Sequence, residues 1–154
     1  MGRVWTKAEL TQLGAICRQN GVVVVSDEIH ADITFQNFPY TPFASISDAD
    51  AQNSITCLSP AKSFNIAACC GAFTVVSDEN RRNALKAENS RLTVNKNNAF
   101  ASVAMEVAYK DGGPWLDAAI AYIEGNLSLV RARLSDLPEA SLIEPEGTFL
   151  IWLD

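Results

Sequence analysis

The sequence has 154 residues, of which 48% are hydrophobic and 19% are charged, and its net charge is −6. This composition is ordinary for a globular protein with one core, and the acidic balance with scattered basic residues argues against nucleic acid as a partner. No apolar run approaches the roughly 20 residues of a membrane span, and residues 1–5 lack the apolar core of a signal peptide, so we expect a cytoplasmic protein without membrane contact.

The first predicted elements are a helix and a strand. Thr6 and Glu9 have the spacing of a capping box, in which the side chain of each accepts a hydrogen bond from the backbone N–H of the other. Apolar residues at helical spacing follow, and Gly21 stands where a left-handed residue commonly ends a helix. The run Val22–Val25 predicts a strand that is apolar on both faces, as in a parallel sheet covered by helices. A helix followed by such a strand indicates the α/β class.

The rest of the chain continues to alternate strands and helices. Further strands are predicted over residues 54–58, 73–76 and 147–153, and further helices over residues 78–91, 98–110 and 114–137. The chain starts just before a helix-entry turn and stops within a predicted strand, and three buried strands are few for a complete parallel sheet. We therefore expect a fragment of a larger α/β protein, with an exposed apolar patch or an unpaired strand edge.

The cysteines and the histidine do not indicate a metal site. The four cysteines show no C-x-x-C spacing, and His30 is the single histidine of the sequence. A zinc site would have to be assembled from distant positions, so we predict no metal and expect reduced cysteines.

Asp27 directly follows the first predicted strand. Ligands of open α/β sheets bind at the carboxyl ends of the strands. A carboxylate at this edge is costly to desolvate unless it meets a cation, such as a protonated ring nitrogen. The alternative, which this segment alone leaves open, is that Asp27 or Glu28 caps the next turn.

Lys62 follows the second predicted strand and has apolar neighbours in the sequence. A lysine in an apolar setting is expected to lose proton affinity and to become nucleophilic near neutral pH, and Ser59 offers a hydroxyl suited to a phosphate. The alternative is an ordinary surface lysine. Ser59 and Lys62 also have the S-x-x-K spacing of penicillin-binding proteins, but no K-T-G motif accompanies them, which disfavours that interpretation.

Together, the aspartate and lysine segments resemble those of the class I/II aminotransferases, which are pyridoxal-phosphate enzymes of fold type I. Within that family they are similar to the cystathionine β-lyase branch of C–S lyases, the MalY–PatB branch. The similarity is carried by Ser26–Asp32 and Ser59–Asn65, and it continues in residues 2–10, Gly113–Leu116 and Pro145–Phe149. The resemblance covers essentially the whole chain.

The resemblance implies a division of the chain into two parts. Residues 1–115 would be the later part of the large cofactor-binding domain, a parallel-rich sheet with helices. Residues 116–154 would be a linking helix and the start of a small C-terminal domain. The full-length enzyme would be a homodimer that acts on a small amino-acid substrate.

The resemblance also implies a role for each site residue. Lys62 would hold pyridoxal 5′-phosphate in a Schiff base and then remove the Cα proton of the substrate. Asp27 would pair with the pyridinium nitrogen, Ser59 would donate to the phosphate, and His30 would lie near the phenolic oxygen. Cys70 stands where the broad aminotransferase signature has a phosphate-binding arginine, a departure that suits the C–S lyase branch. The glycine-rich phosphate turn, the ring-stacking aromatic residue and the arginine for the substrate carboxylate are not in this sequence.

The implied reaction of the full-length enzyme is β-elimination from cystathionine or a cysteine conjugate, which gives pyruvate, ammonia and a thiol. An aminotransferase of the same fold is one alternative, because it would use the same Asp27 and Lys62. A non-catalytic fragment or interaction module is the other, and the chain alone is expected to be inactive. If the cofactor binds here, Asp27 and Lys62 should lie at the same end of the sheet and face a common cleft, with their tips on the order of 6–10 Å apart.

Overall fold

The computed structural model describes residues 2–94, 96, 98–137 and 139–154, which form an α/β fold. Its elements are α1 (Lys7–Gln19), β1 (Val24–Asp27), α2 (Asp48–Gln52), β2 (Ser54–Leu58), β3 (Phe73–Val75), α3 (Glu79–Arg91), α4 (Ala99–Asp111), α5 (Gly113–Leu134), β4 (Leu142–Ile143) and β5 (Trp152–Leu153). The α/β class predicted from the sequence is confirmed, whereas the short helix α2 was not predicted.

The first helix begins and ends where its capping residues predict. The Thr6 hydroxyl accepts a hydrogen bond from the Glu9 N–H at 3.2 Å, and the Glu9 carboxylate accepts one from the Thr6 N–H at 2.9 Å. Beyond the last turn, Gly21 has a φ of +65°, the left-handed conformation that glycine adopts without a steric cost. These local interactions place the start of β1 three residues later.

The three longest strands form a mixed sheet in the order β1-β2-β3. β1 and β2 are parallel, with Val24 opposite Ser54 and Asp27 opposite Cys57, whereas β3 runs antiparallel to β2. A parallel neighbour requires a long crossover, usually a helix. Between β2 and β3 the chain has only turns and a short 3-10 turn at Ala67–Cys69, so it doubles back, and the sheet departs from an all-parallel one.

The strand expected to be buried on both faces is partly exposed. β1 starts at Val24 rather than Val22, and Val25 is 65% exposed. Within the described residues β1 pairs only with β2, so its other edge and part of its surface have no cover. Large apolar side chains on the helices are exposed as well, with Phe100 of α4 at 82% and Tyr122 of α5 at 73%. The prediction of an exposed apolar surface and an unpaired edge is confirmed.

The C-terminal third is helical and then irregular. Gly112 separates α4 from α5, which contact each other, and α5 ends three residues earlier than predicted. The strand predicted over residues 147–153 forms only at Trp152–Leu153, where β5 pairs antiparallel with β4. Among the described residues, no helix combines the length and the apolar character that crossing a membrane requires.

The docking segment, residues 145–149, crosses back to the first part of the chain. Glu146 donates its N–H to the Gly2 carbonyl at 2.7 Å and accepts the Phe35 N–H on its own carbonyl at 3.0 Å. Thr148 donates its N–H to the Ile33 carbonyl at 2.7 Å. These bonds join the segment to two distant stretches of the chain, and the division at residue 115 stays a prediction.

Candidate functional site

The carboxyl ends of β1 and β2 bring the predicted site residues to one edge of the sheet. Asp27 is the last residue of β1 and lies opposite Cys57, which is followed after one residue by the turn containing Ser59 and Lys62. Because the two strands are parallel, both polar segments leave the sheet at the same end. The prediction that Asp27 and Lys62 share one end of the sheet is confirmed, and their separation of about 6–10 Å stays a prediction.

Asp27 is exposed, and one of its two carboxylate oxygens is in use. Oδ1 accepts a weak hydrogen bond from the Ile29 N–H at 3.3 Å, so Asp27 does cap the turn that follows β1. Its second oxygen has no partner among the described residues and can accept from a cation. Burial raises the pKa of the Cys57 thiol, and the neighbouring carboxylates of Asp27 and Glu28 raise it further.

The buried side chain of Glu28 holds the turn after β1 in place. Its carboxylate is buried and accepts hydrogen bonds from the Ser26 hydroxyl at 2.8 Å and from the Phe43 N–H at 3.1 Å. The buried Tyr40 hydroxyl faces this carboxylate without a hydrogen bond of ordinary geometry among the described residues. Burial and the carboxylate together raise the pKa of Tyr40 well above its usual range. Glu28 therefore anchors the backbone that presents Asp27.

The loop that carries Lys62 is one turn of helix closed by a left-handed residue. Phe64 donates its N–H to the Pro60 carbonyl at 2.9 Å, and Ile66 donates to the Ala61 carbonyl at 3.1 Å. Asn65, at φ +54°, donates to the Lys62 carbonyl at 3.4 Å. The pair of bonds around a left-handed residue is a Schellman motif. It fixes the backbone from which the Lys62 side chain projects.

Replacement of Asn65 by alanine should therefore weaken the lysine loop. Alanine in the left-handed region costs roughly 1 kcal/mol, whereas glycine adopts it freely. We expect Asn65→Ala to lower the free energy of unfolding by about this amount and Asn65→Gly to change it by only a few tenths of a kcal/mol, as measured by urea unfolding of the chain. Equal destabilisation by both variants would mean that the Asn65 side chain, not its backbone conformation, stabilises the loop.

Lys62 itself is exposed, in contrast to the apolar setting expected from the sequence. Of its two neighbours in the chain, Ser63 is buried and Ala61 is half-buried. The Ser63 hydroxyl donates to Asp32 Oδ2 at 2.7 Å and ties this turn to the segment after β1. Within the described part of the chain, the Lys62 ammonium group has neither a hydrogen bond nor an ion pair, so no protein contact has to be broken for this side chain to bind a cofactor.

Ser59 is buried, and its hydroxyl both donates and accepts a hydrogen bond. It donates to the Gly71 carbonyl at 2.5 Å and accepts the Ala61 N–H at 3.1 Å. A hydroxyl has one proton to donate. To donate to a phosphate, as predicted, the Ser59 hydroxyl would therefore have to break its hydrogen bond to the Gly71 carbonyl. Cys70, next to Gly71, is exposed and has a φ of +53°. Its thiol lacks the positive charge of the phosphate-binding arginine that the broad aminotransferase signature has at this position.

His30 lies near enough to both Asp27 and Lys62 for their charges to act on its imidazole. Burial lowers the pKa of its imidazole, the Lys62 charge lowers it further, and the Asp27 charge raises it. Thr148 Oγ1 lies 3.3 Å from His30 Nδ1, and the rings of Phe149 and His30 are in contact at a centroid distance of 5.3 Å. Asp27, His30 and Lys62 are thus brought together, with Ser59 at the base of the lysine loop.

Two adjoining cavities take the place of the single cleft that we expected. Asp27 and His30 line the larger one, of about 510 Å³. Lys62 lines the smaller one, of about 320 Å³, against the first turns of α5. Ile33 borders both cavities, and Phe149, which lines the second, contacts His30 of the first. The docking segment, residues 145–149, therefore borders both cavities, with Gly147 and Thr148 at the larger one and Phe149 at the smaller one.

Thr148 and Phe149 are site residues that could not be assigned from the sequence. Their stretch, Pro145–Phe149, was noted only for its resemblance to the family. Nothing in its spacing indicates contact with a histidine more than 100 residues earlier. That contact depends on hydrogen bonds between distant segments, which local patterns do not encode.

The functional groups at the carboxyl ends of β1 and β2 fit pyridoxal phosphate. A carboxylate oxygen without a partner suits a protonated ring nitrogen, and an unpaired primary amine suits an aldehyde. The imidazole of His30 is near enough to the two groups for both charges to shift its pKa. The phosphate has one neutral candidate donor here, the hydroxyl of Ser59.

Comparisons with known proteins agree with the resemblance. The family model for class I and II aminotransferases matches residues 1–154. Cystathionine beta-lyase PatB of Bacillus subtilis strain 168 is 44% identical over 154 residues, which are 99% of this chain and 40% of PatB. These values bear out the prediction of the cystathionine β-lyase branch.

Solved structures match over the same extent. A pyridoxal-phosphate-bound structure from Clostridium difficile 630, assigned as an aminotransferase, has a TM-score of 0.96 and 40% identity, and covers 99% of this chain and 40% of that one. The pyridoxal-phosphate-bound C–S lyase of Staphylococcus hominis has a TM-score of 0.89 and 36% identity, and covers 99% and 38%. The chain spans about 40% of the length of the relatives it matches. It belongs to the class I and II aminotransferase family.

Proposed function

We propose that this chain carries the lysine and aspartate of a pyridoxal-phosphate-dependent C–S β-lyase. The observation that carries the proposal is the position of Asp27 and Lys62 at one end of the sheet, with the imidazole of His30 near enough for both charges to act on its pKa. PatB, at 44% identity, is named a cystathionine beta-lyase, which favours elimination at a Cβ–S bond over other reactions of the family. The chain by itself would be inactive, and the activity would belong to the full-length enzyme.

Four residues would hold the cofactor. Lys62 would bind its aldehyde covalently, Asp27 would face its ring nitrogen, His30 its phenolic oxygen and Ser59 its phosphate. When bound, pyridoxal phosphate supplies an electron sink for a substrate that loses its Cα proton. Ser59 is a neutral donor, so most of the phosphate charge would have to be balanced by residues outside this chain.

Lys62 would perform the proton transfer of the reaction. Its amine would accept the Cα proton of the bound substrate. The Cβ–S bond then breaks, and the electron pair leaves with sulfur as a thiolate. Water releases pyruvate and ammonia from the remaining three-carbon unit. The exposed position of Lys62 and its freedom from ion pairs in this chain are compatible with both tasks.

The test is the fate of the amino group in the full-length enzyme. With cystathionine as the only substrate, we expect pyruvate, ammonia and a thiol in equal amounts, measured by lactate dehydrogenase coupling and thiol titration. Elimination requires no acceptor. Pyruvate that forms in the absence of any 2-oxo acid supports the lyase. Amino transfer that occurs only after a 2-oxo acid is added, with no thiol released, would exclude it.

An aminotransferase of the same fold is the second candidate. The matching structure from Clostridium difficile, assigned as an aminotransferase, favours it, because that protein is similar to this chain along almost its whole length. Both activities would use Asp27 and Lys62 in the same way, so the acceptor requirement in the assay above separates them. A cytoplasmic location, a homodimer and a domain division near residue 115 also belong to this proposal.

A further inference from the structure

The docking segment, residues 145–149, is held in one position by interactions other than its contact with His30. The Val4 N–H donates to Glu146 Oε2 at 2.6 Å, in addition to the backbone bonds described above. At Gly147 the backbone passes so close to Ile33 that a Cβ atom would lie 2.5 Å from the Ile33 carbonyl oxygen. The segment therefore cannot move far from residues 30–35 without breaking several bonds.

Thr148 has a backbone conformation that a β-branched residue rarely adopts. Its φ is +65°, in the left-handed region, where a Cβ with two branches is crowded. Such conformations persist when the surroundings impose them, and they cluster at functional sites. Here the conformation directs the threonine hydroxyl to 3.3 Å from His30 Nδ1, while the next residue, Phe149, lays its ring against the same imidazole.

The hydrogen-bonding needs of the hydroxyl indicate which group donates. Within the described residues, His30 Nδ1 is the partner of Thr148 Oγ1. If Nδ1 carried the proton, the threonine proton would be left without a protein acceptor. Donation by the hydroxyl to Nδ1 satisfies both groups. The proton of the neutral imidazole then lies on Nε2, because the bond made by one ring nitrogen sets the state of the other.

We propose that Thr148 is a positioning residue for His30. Its hydroxyl donates to Nδ1, holds the imidazole in the Nε2–H form and makes Nε2 a donor for an anionic oxygen bound between Asp27 and Lys62. This inference rests on the proposed function, because the phenolic oxygen of the cofactor is the anion it would serve. Among the described residues, the charged groups that act on the imidazole are Asp27 from the end of β1 and Lys62 from its loop, and the docking segment contacts it with the uncharged Thr148 and Phe149.

The single histidine of the sequence makes the tautomer directly measurable. In the 154-residue chain labelled with 15N-histidine, two-bond 1H–15N spectra recorded well above pH 6.5 distinguish the protonated ring nitrogen from the unprotonated one. We expect Nδ1 to be unprotonated in the wild type and in Thr148→Ser. In Thr148→Val, which keeps the β-branch and loses the hydroxyl, the tautomer ratio should shift roughly two- to tenfold towards the Nδ1–H form, as the loss of one hydrogen bond predicts.

The direction of the pKa change is a second and independent readout. If Thr148 donates, its hydroxyl stabilises the neutral imidazole, so Thr148→Val should raise the pKa of His30 by roughly half to one unit. If Thr148 accepts, the same variant should lower the pKa. If Thr148 had a purely structural role, Thr148→Val would leave both the tautomer and the pKa of His30 unchanged. The amide spectrum of residues 30–35 shows whether the variant is folded.

Several outcomes would overturn the proposal. A protonated Nδ1 in the wild-type chain would do so without any variant, so the test does not depend on the folding of Thr148→Val. A pKa of His30 that falls or stays constant in Thr148→Val would also do so. The cofactor takes no part in these measurements. Failure of the pyruvate assay with the expected tautomer would therefore count against the proposed function, not against the positioning role of Thr148.

Discussion

Replacement of Lys62 by alanine is expected to abolish both cofactor attachment and pyruvate release in the full-length enzyme. Alanine cannot bind the aldehyde covalently, and no second amine is available for the Cα proton on the turn that carries Lys62. Proton transfer by a positioned base contributes typically 10²–10⁴-fold, and the orientation lost with the covalent anchor adds several powers of ten. We therefore expect a loss of at least about a thousandfold in kcat, together with loss of the visible absorbance of the bound cofactor.

Two further variants test whether the loss of activity in Lys62→Ala comes from the missing amine, from the missing positive charge or from the removal of any exposed lysine. Lys62→Arg keeps a positive charge, but its guanidinium stays protonated and cannot act as nucleophile or base, so it should be as inactive as Lys62→Ala. Lys110→Ala removes an exposed lysine from the last turn of α4 and should leave the rate unchanged. If the full-length Lys62→Ala enzyme released pyruvate at the wild-type rate, the role of Lys62 would have to be abandoned.

Elements set by local interactions could be predicted from the sequence. The capping box of Thr6 and Glu9 and the left-handed Gly21 define the first helix, and both depend on residues at most a few positions apart. The strand over residues 54–58 was predicted with its observed bounds. The placement of Asp27 and Lys62 at one sheet edge also followed, because it requires only that the two strands be parallel.

Features that depend on distant parts of the chain could not be predicted. The burial of Glu28 requires the Phe43 N–H, and the bond of Ser59 to the Gly71 carbonyl requires the chain to double back after β2. The contact of Thr148 with His30 spans 118 residues. The β-branched run of β1 indicated a strand correctly, but its pattern carries no information on which neighbours cover it, and Val25 is exposed.

The remaining large effect is expected at Asp27, where the structure shows two possible tasks for one carboxylate. Oδ1 caps the turn by accepting from the Ile29 N–H, and the second oxygen is free to pair with a cation. We expect Asp27→Ala to keep part of the cofactor, because Lys62 remains, but to lose most of the rate. A hydrogen bond between charged groups is worth roughly 1.5–3 kcal/mol, which corresponds to a loss of about ten- to a hundredfold in kcat if it acts in the transition state.

Asp27→Asn decides which of the two tasks matters, because an amide oxygen can still accept from the Ile29 N–H while the negative charge is gone. If the carboxylate stabilises a protonated ring nitrogen, Asp27→Asn should lose nearly as much kcat as Asp27→Ala, and both should still bind cofactor as judged by absorbance. If Asp27 serves only as a cap, Asp27→Asn should keep the wild-type rate and stability, and only the alanine variant should be impaired. Measuring kcat and urea unfolding on the same three proteins distinguishes these results, since the cap contributes to stability and the charge contributes to the rate.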